Sequence, residues 1–279
     1  MKKYLALFLT MAMSVGVLAG CGGGTDETAT TDGADTAERT TFTVGFDAEY
    51  PPYGYKNDAG EYVGFDLDLA QEVCDRNGWE LVKQPLDWSS KDMELNSGTV
   101  DCLWNGFTMT GRESEYTFSE PYVDNSIVFV VRQDSDIQTK EDLAGKIVIT
   151  QAGSSALTAL TNTEDNDENL ALAATFASLE QTPDYNSAFM SLETGAVDAI
   201  AVDIGVAQYQ LTNHSDKFRQ LEEPLSTEQY AIAFKLGNEE LRDQVQATLD
   251  EMVEDGTFDA IAANYADYNL DQMVCLGKE

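Results

Sequence analysis

Histidine is almost missing from this chain of 279 residues, with His214 the single one. Positive charge is scarce as well: 16 Lys and Arg stand against 50 Asp and Glu, for a formal net charge of -34. The four cysteines, Cys21, Cys74, Cys102 and Cys275, show no C-x-x-C spacing. Each shortage excludes something. One His, set in the polar stretch Asn213-His214-Ser215, and no closely spaced thiols leave little for a metal site, so no metal and no cofactor is expected. The chain also lacks a G-x-S-x-G elbow and a workable Cys–His pair, which argues against nucleophilic catalysis. So acidic a surface repels phosphate, which excludes nucleic acid and anionic lipid headgroups as partners. The N-terminal apolar run, residues 4–12, is too short to stay in a membrane as a span.

What is present suffices for a packed core. Hydrophobic residues make up 43% and aromatics 10%, enough for one large or two moderate domains. Residues 1–20 read as a secretory leader, opening with Lys2-Lys3 and closing on Leu18-Ala19-Gly20-Cys21. Small residues before a cysteine resemble the bacterial lipoprotein signal, which implies lipidation of Cys21 and anchorage to the membrane facing outward. Residues 21–40, rich in Gly, Thr, Asp and Ala, read as a flexible tether. Outside the cell a disulfide is permitted. The remaining three cysteines leave at least one thiol free, and nothing in their spacing selects a pair.

The rest of the chain is organised around residues 98–122. Val100 to Trp104 is an apolar run after Gly98, as in a buried strand, and it ends in Asn105-Gly106. Thr108, Thr110 and Arg112 follow, bringing N–H groups, hydroxyls and a guanidinium to a strand's carboxyl end, where open α/β sheets bind ligands. The planar guanidinium fork suits a carboxylate or phosphate. Its plainer role is a surface ion pair with Glu113 or Glu115, worth little.

Ahead of this stretch, Phe42-Thr43-Val44-Gly45-Phe46 alternates like a strand and runs into Tyr50-Pro51-Pro52-Tyr53, where the prolines force a loop. A helix is expected from Asp66 as its cap through Val73 and Cys74 to Asn77-Gly78, then a strand over 79–86 and a short helix over 91–95. The pattern Met93-x-Leu95-x-x-Gly98-x-Val100-Asp101 returns with the same spacing as Met190-x-Leu192-x-x-Gly195-x-Val197-Asp198. Helix, glycine stop, strand in both places indicates two lobes of like build. In the second lobe a strand over 146–150 leads to Gln151-Ala152-Gly153-Ser154-Ser155 and a helix through 160; residues 161–169 read as an acidic loop. Ser154 and Ser155 either cap that helix or offer its dipole to an anion. A strand over 198–202 ends at Asp203, placed to take an ammonium or to cap the next helix. Last come a strand over 230–234 and a long helix with Leu241, Val245, Leu249, Met252 and Val253 on one face.

The run Gly64-Phe65-Asp66-Leu67-Asp68-Leu69, continuing through Val73 and Cys74, resembles the signature of the polar amino-acid binding proteins of ABC importers. Gly45-Phe46-Asp47, Tyr50-Pro51-Pro52-Tyr53, the 106–112 stretch, Phe118-Ser119-Glu120-Pro121-Tyr122 and Asp142-Leu143-Ala144-Gly145-Lys146 fit as well, so the likeness covers residues 41–265. It implies an α/β clamp of the type II periplasmic-binding kind, with two Rossmann-like lobes joined by hinge strands near 122–126 and 226–230. Lobe 1 is expected over 41–124 and 228–279, and lobe 2 over 125–227.

The resemblance also implies roles. Arg112 is similar to the family arginine that clamps a ligand α-carboxylate, shared with the Thr108 N–H and the helix start at Ser154 and Ser155. The Gly106 carbonyl, the Thr108 hydroxyl and Asp203 are to take the α-ammonium, with Phe107 in the same turn. Tyr50 and Trp88 match the aromatic pair around the side chain, and Asp47 lines its far end. Asp47 and Glu49 beside aromatics favour a basic amino acid, with glutamine or a cystine-like ligand as alternatives. The implied partners are a free L-amino acid and the permease subunits, for a monomeric, non-enzymatic protein. Two rivals remain: a dehydratase acting on a small carboxylic acid with this fold, and a ligand-sensing module.

Overall fold

The structure is a computed structural model and describes residues 39–162 and 167–278. The expected leader, Cys21 and nearly all of the expected tether lie outside the described residues. Strand β1 (Thr41–Phe46) buries Phe42, Val44 and Phe46 in alternation, as its sequence pattern requires. A small antiparallel ribbon follows, made of β2 (Glu49–Tyr50), β3 (Gly54–Lys56) and β4 (Tyr62–Val63). Helix α1 (Phe65–Asn77) packs Phe65, Leu69, Ala70, Val73 and Cys74 inward. Only glycine fits at its start, because a Cβ on Gly64 would lie 2.2 Å from the Tyr53 carbonyl oxygen. Asp66, expected to cap this helix, makes no cap hydrogen bond. Its carboxylate is fully buried instead, for reasons that belong to the site.

Strand β5 (Glu80–Pro85) pairs in parallel with β1, and α2 (Lys91–Ser97) returns the chain to β6 (Cys102–Leu103). β6 is shorter than the expected 100–104 run, since only Val44 and Gly45 of β1 pair with it before the chain turns away. β7 (Tyr116–Phe118) leads to β8 (Val123–Arg132), which leaves the first sheet and enters a second. There the chain forms β9 (Ile147–Gln151), α3 (Ser155–Thr161), α4 (Asp167–Ala173), β10 (Ser178–Thr182), α5 (Tyr185–Thr194), β11 (Ala199–Asp203), α6 (Ile204–Asn213) and β12 (Phe218–Gln220). The expected 161–169 loop is therefore helical from Asp167 onward.

β13 (Ser226–Tyr230) runs back antiparallel to β8, with Ser226 opposite Ile127 and Tyr230 opposite Val123. The chain then rejoins the first sheet as β14 (Ala233–Lys235), followed by α7 (Glu239–Glu254), α8 (Thr257–Ala263) and α9 (Leu270–Met273). One strand over 230–234 was the sequence expectation. Two form, because the chain changes sheets between them. The sheets run β5-β1-β6-β14-β7 and β10-β9-β11-β8-β12, so the fold is an α/β clamp of two lobes with β8 and β13 crossing between them.

The repeated motif has a structural counterpart. Gly98 ends α2 and Gly195 ends α5, both left-handed, at φ 78° and 76°. Asp101 then accepts the Thr43 N–H at 2.7 Å, and Asp198 accepts the Ile147 N–H at 2.8 Å. Each aspartate thus ties the helix–strand turn to a neighbouring strand of its own sheet, β1 for Asp101 and β9 for Asp198. Leu95, Leu192, Val100 and Val197 are buried. Met93 and Met190 are exposed, so the shared methionines are not explained by packing. Cys74, Cys102 and Cys275 are free thiols.

Candidate ligand-binding site

The carboxyl ends of strands from both sheets converge on one narrow cavity, where ligands bind in open α/β sheets. Tyr50, Trp88, Gly106, Thr108 and Arg112 line it from the first lobe; Gln151, Ser154, Ser155 and Asp203 line it from the second. The sequence nominated all of these except Gln151. Two nominated residues, Asp47 and Phe107, stand outside the lining.

The first-lobe wall depends on a buried carboxylate. Gly106 adopts φ 57°, and its N–H donates to Asp66 at 2.6 Å. Asp66 also accepts the Tyr122 hydroxyl at 2.9 Å, and burial pushes its pKa up to about 7. Beyond Gly106 the chain bonds to the hinge, with the Met109 N–H donating to the Gln229 carbonyl and the Ala231 N–H to the Phe107 carbonyl. Phe107 is fully buried, 5.7 Å from Trp88 and 5.1 Å from Tyr116 between ring centroids. Its ring packs against Trp88 and Arg112 and does not line the cavity.

The Arg112 guanidinium lies 5.1 Å from the Phe107 ring centroid. Among the described residues it makes no ion pair, with Glu113, Glu115 or any other acid. Its donors are left for something in the cavity. On the facing wall Ser154 caps α3, accepting the Leu157 N–H at 3.1 Å and donating to the Gln151 carbonyl at 2.8 Å. The Ser155 hydroxyl is turned the other way, toward Glu228 at 3.1 Å.

Asp203 ends β11 and precedes α6, yet makes no cap hydrogen bond. Its Oδ1 accepts Asn125 Nδ2 at 2.8 Å and the Tyr230 hydroxyl. The Tyr230 hydroxyl also stands 3.2 Å from that of Tyr50. Burial raises the Asp203 pKa, and these donors only partly offset it. Asp47 does not line the cavity but holds Gln151, which does: Gln151 Nε2 donates to Asp47 Oδ2 at 2.6 Å, from one lobe to the other. Burial pushes Asp47 up to about 6.

Sequence reasoning missed Gln151, Asn125 and Glu228. Glu228 was within reach of it. In Ser226-Thr227-Glu228-Gln229-Tyr230 strand alternation places Glu228 on the same face as the buried Tyr230, and an acid on a buried face needs partners. Asn125 and Gln151 offered no such signal, since single amides at strand positions are common.

A cation from one lobe and a carboxylate from the other, with two aromatic rings beside them, match a small zwitterion with an organic side chain. Two crossing strands and a cavity between lobes make this a solute-binding clamp. Residues 42–268 match the model of the bacterial extracellular solute-binding proteins, family 3, and the chain belongs to that family. The L-cystine-binding protein TcyA of Bacillus subtilis is 30% identical over 276 residues, covering 95% of this chain and 97% of that protein. The L-cystine-binding protein TcyJ of Escherichia coli is 29% identical over 231 residues, covering 82% of this chain and 83% of that protein. Among solved structures, an ABC uptake transporter substrate-binding protein of Streptococcus pneumoniae with bound histidine superposes with a TM-score of 0.76. It is 30% identical and covers 81% of this chain and 92% of its own.

Proposed function

We propose that this chain captures a free polar amino acid between its lobes and delivers it to the membrane permease of an ABC importer. The observation that carries this is Arg112. Its guanidinium is unpaired among the described residues, and it lines the same cavity as Asp203 from the opposite lobe. A zwitterion satisfies both, and charge-assisted bonds of roughly 1.5–3 kcal/mol each form together only when the lobes meet. Ligand therefore shifts the equilibrium toward the closed clamp by differential binding.

In this reading Arg112, the Thr108 N–H and the start of α3 at Ser154 and Ser155 hold the α-carboxylate. Asp203, the Gly106 carbonyl and the Thr108 hydroxyl hold the α-ammonium, with Tyr50 and Trp88 on either side of the side chain. Lobe 1 comprises residues 41–124 and 228–279, and lobe 2 comprises 125–227. Lipidation at Cys21 anchors the protein outside the membrane, and it binds without catalysing. The relatives named for cystine and the neighbour holding histidine support a polar amino acid as cargo.

Thermal-shift screening of the twenty amino acids, cystine and ornithine tests the proposal, followed by calorimetric titration of the best binder into wild type and Arg112→Ala. Stabilisation by at least one amino acid, lost in the variant, is the expected result. No stabilisation by any of them overturns it.

A further inference from the structure

Glu228 is 9% exposed and sits on β13, one of the two strands that cross between the lobes. A single oxygen, Oε1, accepts three donors: Thr108 Oγ1 at 2.7 Å, Asn125 Nδ2 at 2.8 Å and Ser155 Oγ at 3.1 Å. Thr108 belongs to the turn after β6 in the first lobe. Ser155 opens α3 in the second, and Asn125 lies on the other crossing strand. The three meet at one atom only while the lobes stand together. Glu228 does not line the ligand cavity, but Thr108 and Ser155 do.

We propose that Glu228 is a positioning residue that latches the closed lobes together and decides which end of an amino acid the cavity hydroxyls face. This rests on the amino-acid reading above. An ionised carboxylate can only accept hydrogen bonds, and a hydroxyl has one proton to give. Thr108 and Ser155 give theirs to Glu228, so toward the cavity their oxygens offer lone pairs. Those attract an ammonium and repel a carboxylate, leaving the carboxylate to Arg112 and to backbone N–H groups. Asn125 divides its two N–H bonds between Glu228 and Asp203, which fixes the orientation of the second acid. Glu228 thereby sets the polarity of both walls from behind.

The charged and titratable groups around Glu228 are Asp203, Arg112 and Glu113 across one flanking cavity, Asp124 across another, and the phenols of Tyr53, Tyr185 and Tyr230. Burial and the neighbouring Asp203 push Glu228 up to about 7. An ammonium bound beside Asp203 stabilises both carboxylates in their charged forms, so ligand entry at neutral pH expels a proton. Affinity then weakens as the pH falls below 7.

The test titrates L-arginine, L-histidine, L-glutamine and L-cystine separately into wild type, Glu228→Gln and Glu228→Ala, with small-angle scattering of each protein with and without amino acid. For whichever of the four binds wild type, Glu228→Ala is expected to lose about tenfold or more in affinity, near 1.4 kcal/mol, and to compact less. Glu228→Gln keeps an accepting oxygen and compacts like wild type. Its affinity, however, changes less between pH 6 and pH 8, and titrations in buffers of different ionisation enthalpy show less proton release. Wild-type affinity and compaction in Glu228→Ala overturns the proposal, as does a wild-type pH profile in Glu228→Gln. If none of the four binds wild type, the wider amino-acid screen decides the amino-acid reading, and scattering of the ligand-free proteins decides the latch alone. A larger radius of gyration for Glu228→Ala than for wild type then supports it, and an unchanged one overturns it.

Discussion

Asp66, in the first turn of α1, accepts the backbone N–H of Gly106 at 2.6 Å, forty residues further along the chain. The contact joins the start of α1 to the turn that lines the cavity. With Gly106 held by its N–H, the backbone is fixed where its carbonyl can reach a ligand. The Tyr122 hydroxyl, bonded to the same oxygen, extends the tie to the edge of the hinge.

Replacing Asp66 with alanine leaves the buried Gly106 N–H and Tyr122 hydroxyl without partners, at about 1–3 kcal/mol each. The melting temperature is expected to fall by several degrees, at roughly 2–4 °C per kcal/mol for a chain of this size. Amino-acid affinity should fall with it. Asp66→Asn, which keeps an accepting oxygen, should lose less of both. Scanning calorimetry decides, and an unchanged melting temperature in Asp66→Ala contradicts the account.

Arg112 should behave in the opposite manner. Its guanidinium is only half-buried and makes no ion pair among the described residues, so Arg112→Ala is expected to lower the ligand-free melting temperature by only about 1–4 °C, losing only an aromatic contact worth roughly 0.5–1 kcal/mol. Binding of the cognate amino acid should disappear. Arg112→Lys should recover only part of it, because an ammonium cannot form the two parallel bonds of a guanidinium. Retained affinity in the alanine variant, measured by titration calorimetry, removes the carboxylate role.

Gly106 tests the fit of the turn. An alanine Cβ here would lie 2.8 Å from Tyr230 Cε2 and 3.2 Å from Tyr50 Cε1, at a φ of 57°. Tyr230 carries a hydrogen bond to Asp203, so displacing its ring disturbs the Asp203 side of the cavity. Gly106→Ala should lose stability by about 1–3 kcal/mol from backbone strain and weaken binding by more than tenfold. Wild-type affinity in this variant shows that the turn has room to spare.

Stability should also depend on pH in a defined direction. Burial raises Asp47 to about 6 and both Asp66 and Glu228 to about 7, all above the usual carboxylate range. The folded chain therefore holds protons that the unfolded chain has released. This contribution is full below about pH 4, near the unfolded carboxylate value, and is lost as pH rises through 6 and 7. The ligand-free protein should melt higher at pH 5 than at pH 8. The further stabilisation given by its amino acid should run the other way, larger at pH 8, because the bound ammonium favours ionised Asp203 and Glu228. Differential scanning fluorimetry across that range checks both trends, and a ligand-free melting temperature that climbs toward pH 8 contradicts the first.

Much of the site could be reached from short patterns. Tyr50 before two prolines, Trp88 after a strand, Thr108 and Arg112 after Asn105-Gly106, and Asp203 at a strand end each stand in a local context that a reader of the chain can weigh. The structure gathers all of them around one cavity. Local context also misled. Asp66 looks like a helix cap and is drawn inward by an unpaired N–H forty residues away. Phe107, nominated in the same turn as Gly106 and Thr108, is buried against Trp88 and does not line the cavity.

Most strand and helix placements, the doubled helix–glycine–strand unit and the strongly negative net charge can be read from the sequence alone, because backbone preference and hydrophobic period act within a few positions. Which buried acid meets which donor was decided only by the tertiary structure. Glu228 finds Thr108, Asn125 and Ser155 across wide separations in sequence, and Gln151 reaches Asp47 from the other lobe. Such pairings answer to the cost of leaving a polar group dry and unpaired, and that cost exists only once two sheets have brought the groups out of water together.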